Sequence, residues 1–305
     1  MLTVEMDRLE IKDVKFPSEI LVPRNRVMNH IFNREQLPDQ LRYAVIPSSQ
    51  LPPIYPDGFY PANIGTLVDP LILELRFEPI SMKVGQIDPT VSSFSEDDRV
   101  RIALLMTQER SAKDLELLGR TMYERVKDIS FDVVIGPESL GSKLALEIAR
   151  AANVDGREVF PTSLQKGKMN GSHIGPPKEW ITEEYGIEVS SGTSSNGVKQ
   201  KLYLDPRYAN LIKDMHWNVL LADDARLTMG TITASLELFK KLGISVTGIT
   251  TVLNEGSPIH SIANTEGKEI PFRWLTKLPL SHLVSGGIQP IPGTFNGLEY
   301  FLVRK

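Results

Sequence analysis

The sequence predicts an α/β fold, with a mainly parallel sheet flanked by helices, from three observations. Short apolar runs of strand length alternate with amphipathic segments of helix length over residues 110–255. The run at residues 219–222 ends at two aspartates and a Thr/Gly-rich turn, and a helical pattern follows at once. Residues 1–95 hold 11 of the 21 prolines and lack this alternation. We therefore expect an N-terminal strand-and-loop extension beside the α/β part.

Composition restricts the class of protein. The 305 residues have a net charge of −4, which gives no basic surface for nucleic acid or acidic membranes. The absence of cysteine excludes disulfides, thiolate catalysis and Cys-based zinc sites. No apolar run approaches membrane-spanning length, and the N-terminus has no apolar signal-peptide core. We expect a cytoplasmic protein without nucleic-acid or membrane partners.

The first elements follow from local patterns. Residues 71–77 predict a strand in the N-terminal extension, and residues 20–22 and 43–46 are weaker strand candidates. From about Glu96 the sequence pattern changes to alternating strands and helices. A helix ending near Lys127–Asp128 is predicted by apolar residues that share one helical face, namely Leu115, Leu118, Met122 and Val126.

The following elements alternate. Residues 131–135 predict a buried strand, 136–141 a turn, 142–152 a helix and 158–161 the start of another strand. Residues 165–200 are polar and rich in Gly, Ser and Lys, so they predict a long loop with a short helix near 179–184.

The remaining α/β elements surround the aspartate pair. Strands are predicted at 201–204, 218–222 and 246–252. A helix that Gly243 ends is predicted by the spacing of Ile232, Leu236, Phe239 and Leu242.

Asp223 and Asp224 mark the candidate site. Ligands of open parallel sheets bind at the carboxyl ends of the strands. A helix N-terminus offers unpaired N–H groups and a positive dipole end to a phosphate. Adjacent carboxylates can hold sugar hydroxyls or a divalent cation. The segment therefore has the parts for a phosphorylated sugar and its metal.

Residues 219–231 resemble the phosphoribosyl-diphosphate (PRPP) binding motif of type I phosphoribosyltransferases, and the segment 201–206 resembles one that precedes this motif in some bacterial relatives. The resemblance implies that Asp223 and Asp224 lie near the ribose hydroxyls. It implies a 5-phosphate site built from Arg226, Leu227, Thr228, Met229, Gly230 and Thr231. The turn at 136–141 then resembles the pyrophosphate loop, with contacts from Glu138, Ser139 and Leu140. The 165–200 stretch resembles the flexible catalytic loop and carries two candidate catalytic residues, Lys166 and Lys168.

The resemblance implies transfer of 5-phosphoribosyl from PRPP to a nucleobase or related heterocycle, with pyrophosphate released. Mg²⁺ would be held mainly by PRPP, without a dedicated protein metal site. We expect a homodimer with three parts: an extension (1–95) as hood or oligomer contact, a phosphoribosyltransferase-like core (96–256), and a C-terminal segment (257–305) as part of the hood. Two aromatic residues there, Phe272 and Trp274, are candidates for stacking on the acceptor.

Other interpretations stay open at this point. Met229 stands where the family often has glycine, and Leu227 stands where a small or polar residue is common. A side chain at a position with positive φ costs about 1 kcal/mol. Both residues favour a non-catalytic PRPP or nucleotide sensor of the same fold. A receiver-like phosphoacceptor is a third hypothesis. Taken singly, the aspartate pair also fits a solvated strand end, and Trp274 fits a hood core.

Overall fold

The computed structural model describes residues 31–32, 41–46, 54–55, 59–66, 69, 71–83, 99–104, 111–168, 184–189, 200–256, 259–264, 266–292, 294 and 299–304. The strands in these ranges are β1 (Ile31–Phe32), β2 (Leu41–Ile46), β3 (Phe59–Asn63), β4 (Ile72–Lys83), β5 (Arg99–Leu104), β6 (Val133–Pro137), β7 (Phe160–Lys168), β8 (Gly186–Val189), β9 (Gln200–Leu204), β10 (Val219–Arg226), β11 (Val246–Glu255), β12 (Ser261–Ala263), β13 (Glu269–Leu278), β14 (Ser281–Val284), β15 (Gly287–Pro290) and β16 (Glu299–Arg304). The helices in these ranges are α1 (Ala112–Val126), α2 (Leu140–Val154), α3 (Pro206–Asp214) and α4 (Gly230–Leu242).

Eight of the described strands form one sheet in the order β12-β13-β11-β10-β6-β7-β9-β8. The five strands from β13 to β7 run parallel, and the outer strands are antiparallel. The acid-bearing strand β10 lies between β11 and β6. Its carboxyl end therefore meets the turns that follow its two neighbours, where ligands of such sheets bind.

Helices cover both faces of this sheet. α1 and α2 pack on one face through a cluster that includes Leu118, Met122 and Leu144. α3 and α4 pack on the other face through a cluster that includes Ile212 and Phe239, called here the second core cluster. Because both faces are covered, the central strand β6 is buried along its whole length.

A second, antiparallel sheet joins the two ends of the chain. It contains β1, β3, β4 and β5 from the N-terminal region and β14 and β15 from the C-terminal region. β14 pairs with β5, and a bridge links Tyr55 to Ile288. β2 and β16 form a separate two-stranded sheet. The division at residues 95 and 256 stays a prediction.

The predicted fold class is confirmed: a mainly parallel sheet flanked by helices, with an N-terminal strand region. The predicted loop at 165–200 is wrong at residues 165–168, 186–189 and 200, which belong to strands. β7 continues to Lys168 because β9 pairs with its second half, and residues 186–189 form β8. The segment 20–22 and most of the helix expected near 179–184 lie outside the described residues. In the described ranges, no helix has the length and apolar character needed to cross a membrane.

Candidate functional site

The aspartate pair lies at the carboxyl end of β10. The strand is buried from Val219 through Asp223, and Asp224 is half-buried. The Asp224 N–H donates to Asp223 Oδ1 over 2.9 Å, and the Ala225 N–H donates to Asp224 Oδ1 over 2.9 Å. These bonds hold both carboxylates against the backbone, so their positions are fixed before any ligand arrives.

Burial, together with the neighbouring Asp224 carboxylate, raises the pKa of Asp223 well above its usual value. The positive charge of Lys166 acts in the opposite direction and lowers this pKa. A buried carboxylate beside a half-buried one makes the site unfavourable for negative charge and favourable for positive charge. Lys166, from β7, is therefore close enough to Asp223 to act on its charge.

The turn after β10 leads into an uncapped helix. Met229 immediately precedes α4 with φ 62° and ψ −5°, and α4 has no side-chain cap hydrogen bond. The Thr233 N–H donates to the Met229 carbonyl, which closes the first turn. The first N–H groups of a helix have no acceptor within the helix. The α4 N-terminus thus presents them, with the positive dipole end, at the carboxyl edge of the sheet.

The turn after β6 has the same construction. Ser139 precedes α2 with φ 91°, and α2 also lacks a side-chain cap hydrogen bond. The Glu138 N–H donates to the Leu164 carbonyl over 2.7 Å, and the Lys166 N–H donates to Glu138 Oε2 over 2.8 Å. These two bonds tie the turn to β7 and place Lys166 beside the start of α2.

Gly141 brings the start of α2 against the aspartates. A methyl group at this position would lie 3.2 Å from the Ala222 carbonyl oxygen, 3.2 Å from Asp223 Oδ1 and 2.8 Å from Pro137 Cδ. Only a residue without a side chain permits this approach, so the two uncapped helix N-termini flank one acidic centre.

The other two helices in the described ranges differ in this respect. α1 begins with a capping box, in which Ser111 accepts from the Asp114 N–H and Asp114 accepts from the Ser111 N–H. α3 is capped by the preceding residue, Asp205, whose carboxylate accepts from the Arg207 N–H. Such caps satisfy the first-turn donors. Among the four helices that the structure describes, the two without side-chain caps are those that start at the aspartate pair. This is the pattern expected of anion sites.

Arg226 connects β10 to β11. Its Nη1 donates to Asn254 Oδ1 over 3.1 Å and to the Glu255 carbonyl over 2.7 Å. Asn254 and Glu255 are completely buried. The sequence reasoning missed both residues; the signal was a polar Asn-Glu pair directly after the apolar strand run. Arg226 therefore fixes the strand end that precedes the turn.

The other residues of the predicted 5-phosphate site form the turn itself. Leu227 is buried at 5% exposure, so its side chain is directed into the protein. Thr228, Gly230 and Thr231 are partly exposed. Met229 is partly buried and packs against the second core cluster.

The predicted catalytic lysines lie on a strand, and only one of the two predicted acceptor-binding aromatic residues is partly exposed. Lys166 and Lys168 belong to strand β7, whereas a loop was expected. Phe272 is completely buried in the second core cluster. Trp274 is partly exposed and its ring centroid lies 4.7 Å from that of His260.

The register of the sheet relates Trp274 to the aspartates. Asp223 pairs with Thr251, and Thr251 pairs with Trp274. Neighbouring strands lie about 4.8 Å apart, so Trp274 is roughly 10 Å from Asp223 across the sheet. In the described part of the chain, no group of three or more His, Cys, Asp or Glu residues has the arrangement of a metal site.

The chain was compared with protein-family models, with curated proteins and with solved structures. No protein-family model matches the chain. The chain is 28% identical over 148 residues to an adenine phosphoribosyltransferase of Leuconostoc citreum. The aligned residues cover 48% of this chain and 71% of that protein.

Solved structures of the same class also match. An adenine phosphoribosyltransferase of Trypanosoma brucei, in complex with AMP, pyrophosphate and ribose-5-phosphate, is 19% identical over 61% of this chain and 74% of its own, with a TM-score of 0.38. An orotate phosphoribosyltransferase of Mycobacterium tuberculosis is 17% identical over 66% and 90%, with a TM-score of 0.36. The similarity to the Leuconostoc citreum protein confirms the predicted resemblance to phosphoribosyltransferases.

Proposed function

We propose that this protein is a phosphoribosyltransferase, which transfers 5-phosphoribosyl from PRPP to a nucleobase or related heterocycle and releases pyrophosphate. The observation that carries the proposal is the pair of helix N-termini without side-chain caps on either side of Asp223 and Asp224. PRPP has the matching arrangement of charge, with phosphate groups at both ends of a ribose. The similarity to an adenine phosphoribosyltransferase supports the same reaction class.

The 5-phosphate would bind at the start of α4. The first-turn N–H groups and the Thr228 and Thr231 hydroxyls are the donors in this turn. Arg226 already donates to Asn254 and to the Glu255 carbonyl, so we assign it the role of holding the turn. Leu227 is buried, so its side chain would anchor the turn to the protein interior.

The pyrophosphate would bind at the start of α2, where the backbone of Glu138, Ser139 and Leu140 surrounds the uncapped end. Lys166 supplies positive charge beside it, and Lys168 lies two residues further along the same strand. Mg²⁺, held mainly by PRPP oxygens with Asp223 and Asp224 as nearby oxygen donors, would neutralise the leaving group.

The aspartates would act on the sugar. Breaking the bond to pyrophosphate builds positive charge at the anomeric carbon. Burial makes negative charge on Asp223 unfavourable in the resting protein, and a positive centre nearby relieves that penalty. The interaction is therefore stronger in the transition state than in the ground state, which is the condition for catalysis.

The acceptor would enter from the side of β13. Trp274 lies in the same register row as Asp223 and keeps part of its surface exposed, so its ring is the stronger stacking candidate. Phe272 lies in the second core cluster and would hold the Trp274 ring in position, since the two ring centroids are 6.3 Å apart. The sheet shared by β5 and β14 is a candidate hood. A cytoplasmic homodimer completes the proposal.

The experiment has two stages. Calorimetric titration with PRPP and Mg²⁺ measures binding, and pyrophosphate release is then followed against a panel of nucleobases that begins with adenine. We expect binding in the micromolar range and release that depends on one acceptor. Asp223→Asn with Asp224→Asn should abolish release, whereas the control Glu237→Gln, an exposed acid on α4, should leave it unchanged.

The outcomes separate the candidate functions. PRPP binding without pyrophosphate release for any acceptor would favour a PRPP or nucleotide sensor. This sensor is the second candidate function because Met229 has a side chain at a position with left-handed backbone conformation. The absence of PRPP binding would overturn both.

A further inference from the structure

Tyr203 fills the space beside two glycines on neighbouring strands. It lies on β9, between Gly167 of β7 and Gly186 of β8. A methyl group at Gly167 would lie 2.6 Å from Tyr203 Cε2, and a methyl group at Gly186 would lie 2.5 Å from Tyr203 Cε1. The two edges of one ring therefore occupy the positions that side chains would take at both glycines.

The ring is confined at this position. Tyr203 is 6% exposed, so it is covered on its outer side as well. A ring that moved away from Gly167 would approach the backbone at Gly186, and the reverse movement would bring it against β7. Both strands thus require glycine as long as the aromatic ring is present.

The second half of β7 depends on this arrangement. Residues 163–168 read Ser-Leu-Gln-Lys-Gly-Lys, and a glycine inside a strand has no side chain to pack. An aromatic residue on the neighbouring strand compensates when its ring covers the glycine. Tyr203 pairs with Gly186 on one side and with Gln165 on the other, so Gly167 is its diagonal neighbour. One ring thus holds β7 and β8 to β9 in a single register.

This register determines the face of the sheet on which Lys166 lies. Lys166 pairs with Leu202, and Leu202 and Leu164 both belong to the second core cluster. Side chains alternate between the two faces along a strand. Lys166 is therefore on the face of these leucines, which α3 and α4 cover, and Tyr203 is on the opposite face.

The face of Lys166 matters for the acidic centre. In this register the positive charge of Lys166 reaches Asp223 and lowers the pKa of that carboxyl. A shift of one residue in the second half of β7 would turn each of its side chains to the other face. Lys166 would then extend toward the side of Tyr203, and its ammonium group would leave the neighbourhood of Asp223.

We propose that Tyr203 is a positioning residue: by filling the space beside Gly167 and Gly186, it holds Lys166 on the face from which its charge reaches Asp223. Because the ring lies on the opposite face, Tyr203 acts through the backbone of β7 and without contact to PRPP. The inference rests on the proposed function for its effect on turnover. A second readout, the exchange of backbone amides in β7, does not depend on that function.

Two substitutions separate the ring from its hydroxyl group. Tyr203→Leu removes the outer part of the ring, so we expect amide hydrogen exchange at residues 165–168 to become at least about 10-fold faster. Pyrophosphate release should fall about 10–100-fold, since the charge beside the leaving group is misplaced. Tyr203→Phe keeps the ring and should match the wild type in both measurements. Tyr208→Leu, at an exposed tyrosine (46%) on α3, is the matched control and should also match the wild type.

A double-mutant cycle tests whether Tyr203 acts through Lys166. In the Lys166→Met background the positioned charge is already absent, so adding Tyr203→Leu should lower turnover by less than about two-fold. A loss as large in this background as in the wild type would overturn the proposal, because it would show a general effect on the fold.

Gly167→Ala repeats the test if Tyr203→Leu does not fold, as judged by thermal unfolding. It adds one methyl group that meets the ring, so it should accelerate exchange at residues 165–168 and lower turnover in the same way. Combined with Tyr203→Phe it should remain harmful, because the ring that it meets is still present. Wild-type exchange in both Tyr203→Leu and Gly167→Ala would overturn the proposal. Faster exchange in variants of a protein that releases no pyrophosphate would contradict the proposed function and still support the role of Tyr203 in holding β7.

Discussion

Met229 gives the sharpest test of the turn geometry. It is a non-glycine residue with φ 62° at the entrance of α4, where the proposed 5-phosphate would bind. The perturbation is a pair of variants, Met229→Ala and Met229→Gly. Both remove the side chain that packs against the second core cluster. Only the glycine variant also removes the β-carbon, so the difference between the two variants isolates the backbone conformation.

The expected magnitude follows from this conformation. An L-residue in the left-handed region costs roughly 1–2 kcal/mol, which the alanine variant retains and the glycine variant loses. Glycine has greater conformational freedom in the unfolded chain, which offsets about 0.5–1 kcal/mol of this gain. We expect Met229→Gly to be more stable than Met229→Ala by about 1 kcal/mol.

Equilibrium unfolding in denaturant measures the difference, and the same helix supplies the controls. Thr233 is exposed in the first turns of α4, and there alanine should be more stable than glycine by about 1 kcal/mol. Gly243 ends α4 with φ 69° and open space around it, so Gly243→Ala should cost about 1 kcal/mol. If alanine is the more stable residue at position 229 as well, the left-handed turn does not exist, and the proposed phosphate site loses its geometry.

Three further predictions concern the acidic centre. Burial raises the pKa of Asp223 above its unfolded value of about 3.9, so ionisation of Asp223 costs stability as the pH rises through the folded-state pKa. Asp223→Asn should therefore raise the free energy of unfolding relative to wild type at pH 7 but not at pH 3, as measured by denaturant titration at each pH. The same difference between variant and wild type at pH 3 and pH 7 would contradict the raised pKa of Asp223. Gly141→Ala should push Asp223 away from α2 and lower pyrophosphate release about 10–100-fold, and an unchanged rate would show that this contact is not needed. Lys166→Met should lower turnover about 100-fold and move the acidic limb of the pH–rate profile to higher pH, because the charge that lowers the pKa of Asp223 is lost. The control is Lys201→Met on β9, the strand adjacent to β7, which should change neither quantity.

The site could be predicted where its signal is local. The apolar run, the acid pair and the Thr/Gly-rich turn are contiguous in the sequence, and the structure has β10, the turn and α4 in that order. Met229 stood out for the same reason: a side chain occupied a position that glycine suits. The structure has a positive φ there.

Contacts between distant segments could not be predicted. The pattern Ser-Leu-Gln-Lys-Gly-Lys at 163–168 has one large apolar residue, so it does not signal a strand. β7 extends through it because β9, more than thirty residues later, supplies the hydrogen bonds. The partners of Arg226 lie 28 and 29 residues away on β11, which no spacing rule reveals.

The C-terminal strands show a related limit. Phe272 and Trp274 are two residues apart and share a face of β13. Phe272 is nevertheless fully buried, whereas Trp274 is partly exposed. The difference depends on what covers each position, and the pattern of one strand does not contain that information.

A crystal structure of the protein with PRPP and Mg²⁺ would show whether the two helix N-termini bind the phosphate groups of PRPP. We expect the 5-phosphate on the backbone N–H groups of residues 228–231 and the pyrophosphate at residues 138–140. The ribose hydroxyls should lie within hydrogen-bonding distance of Asp223 and Asp224. PRPP bound away from these two helix N-termini, or an empty site at saturating PRPP, would contradict this expectation.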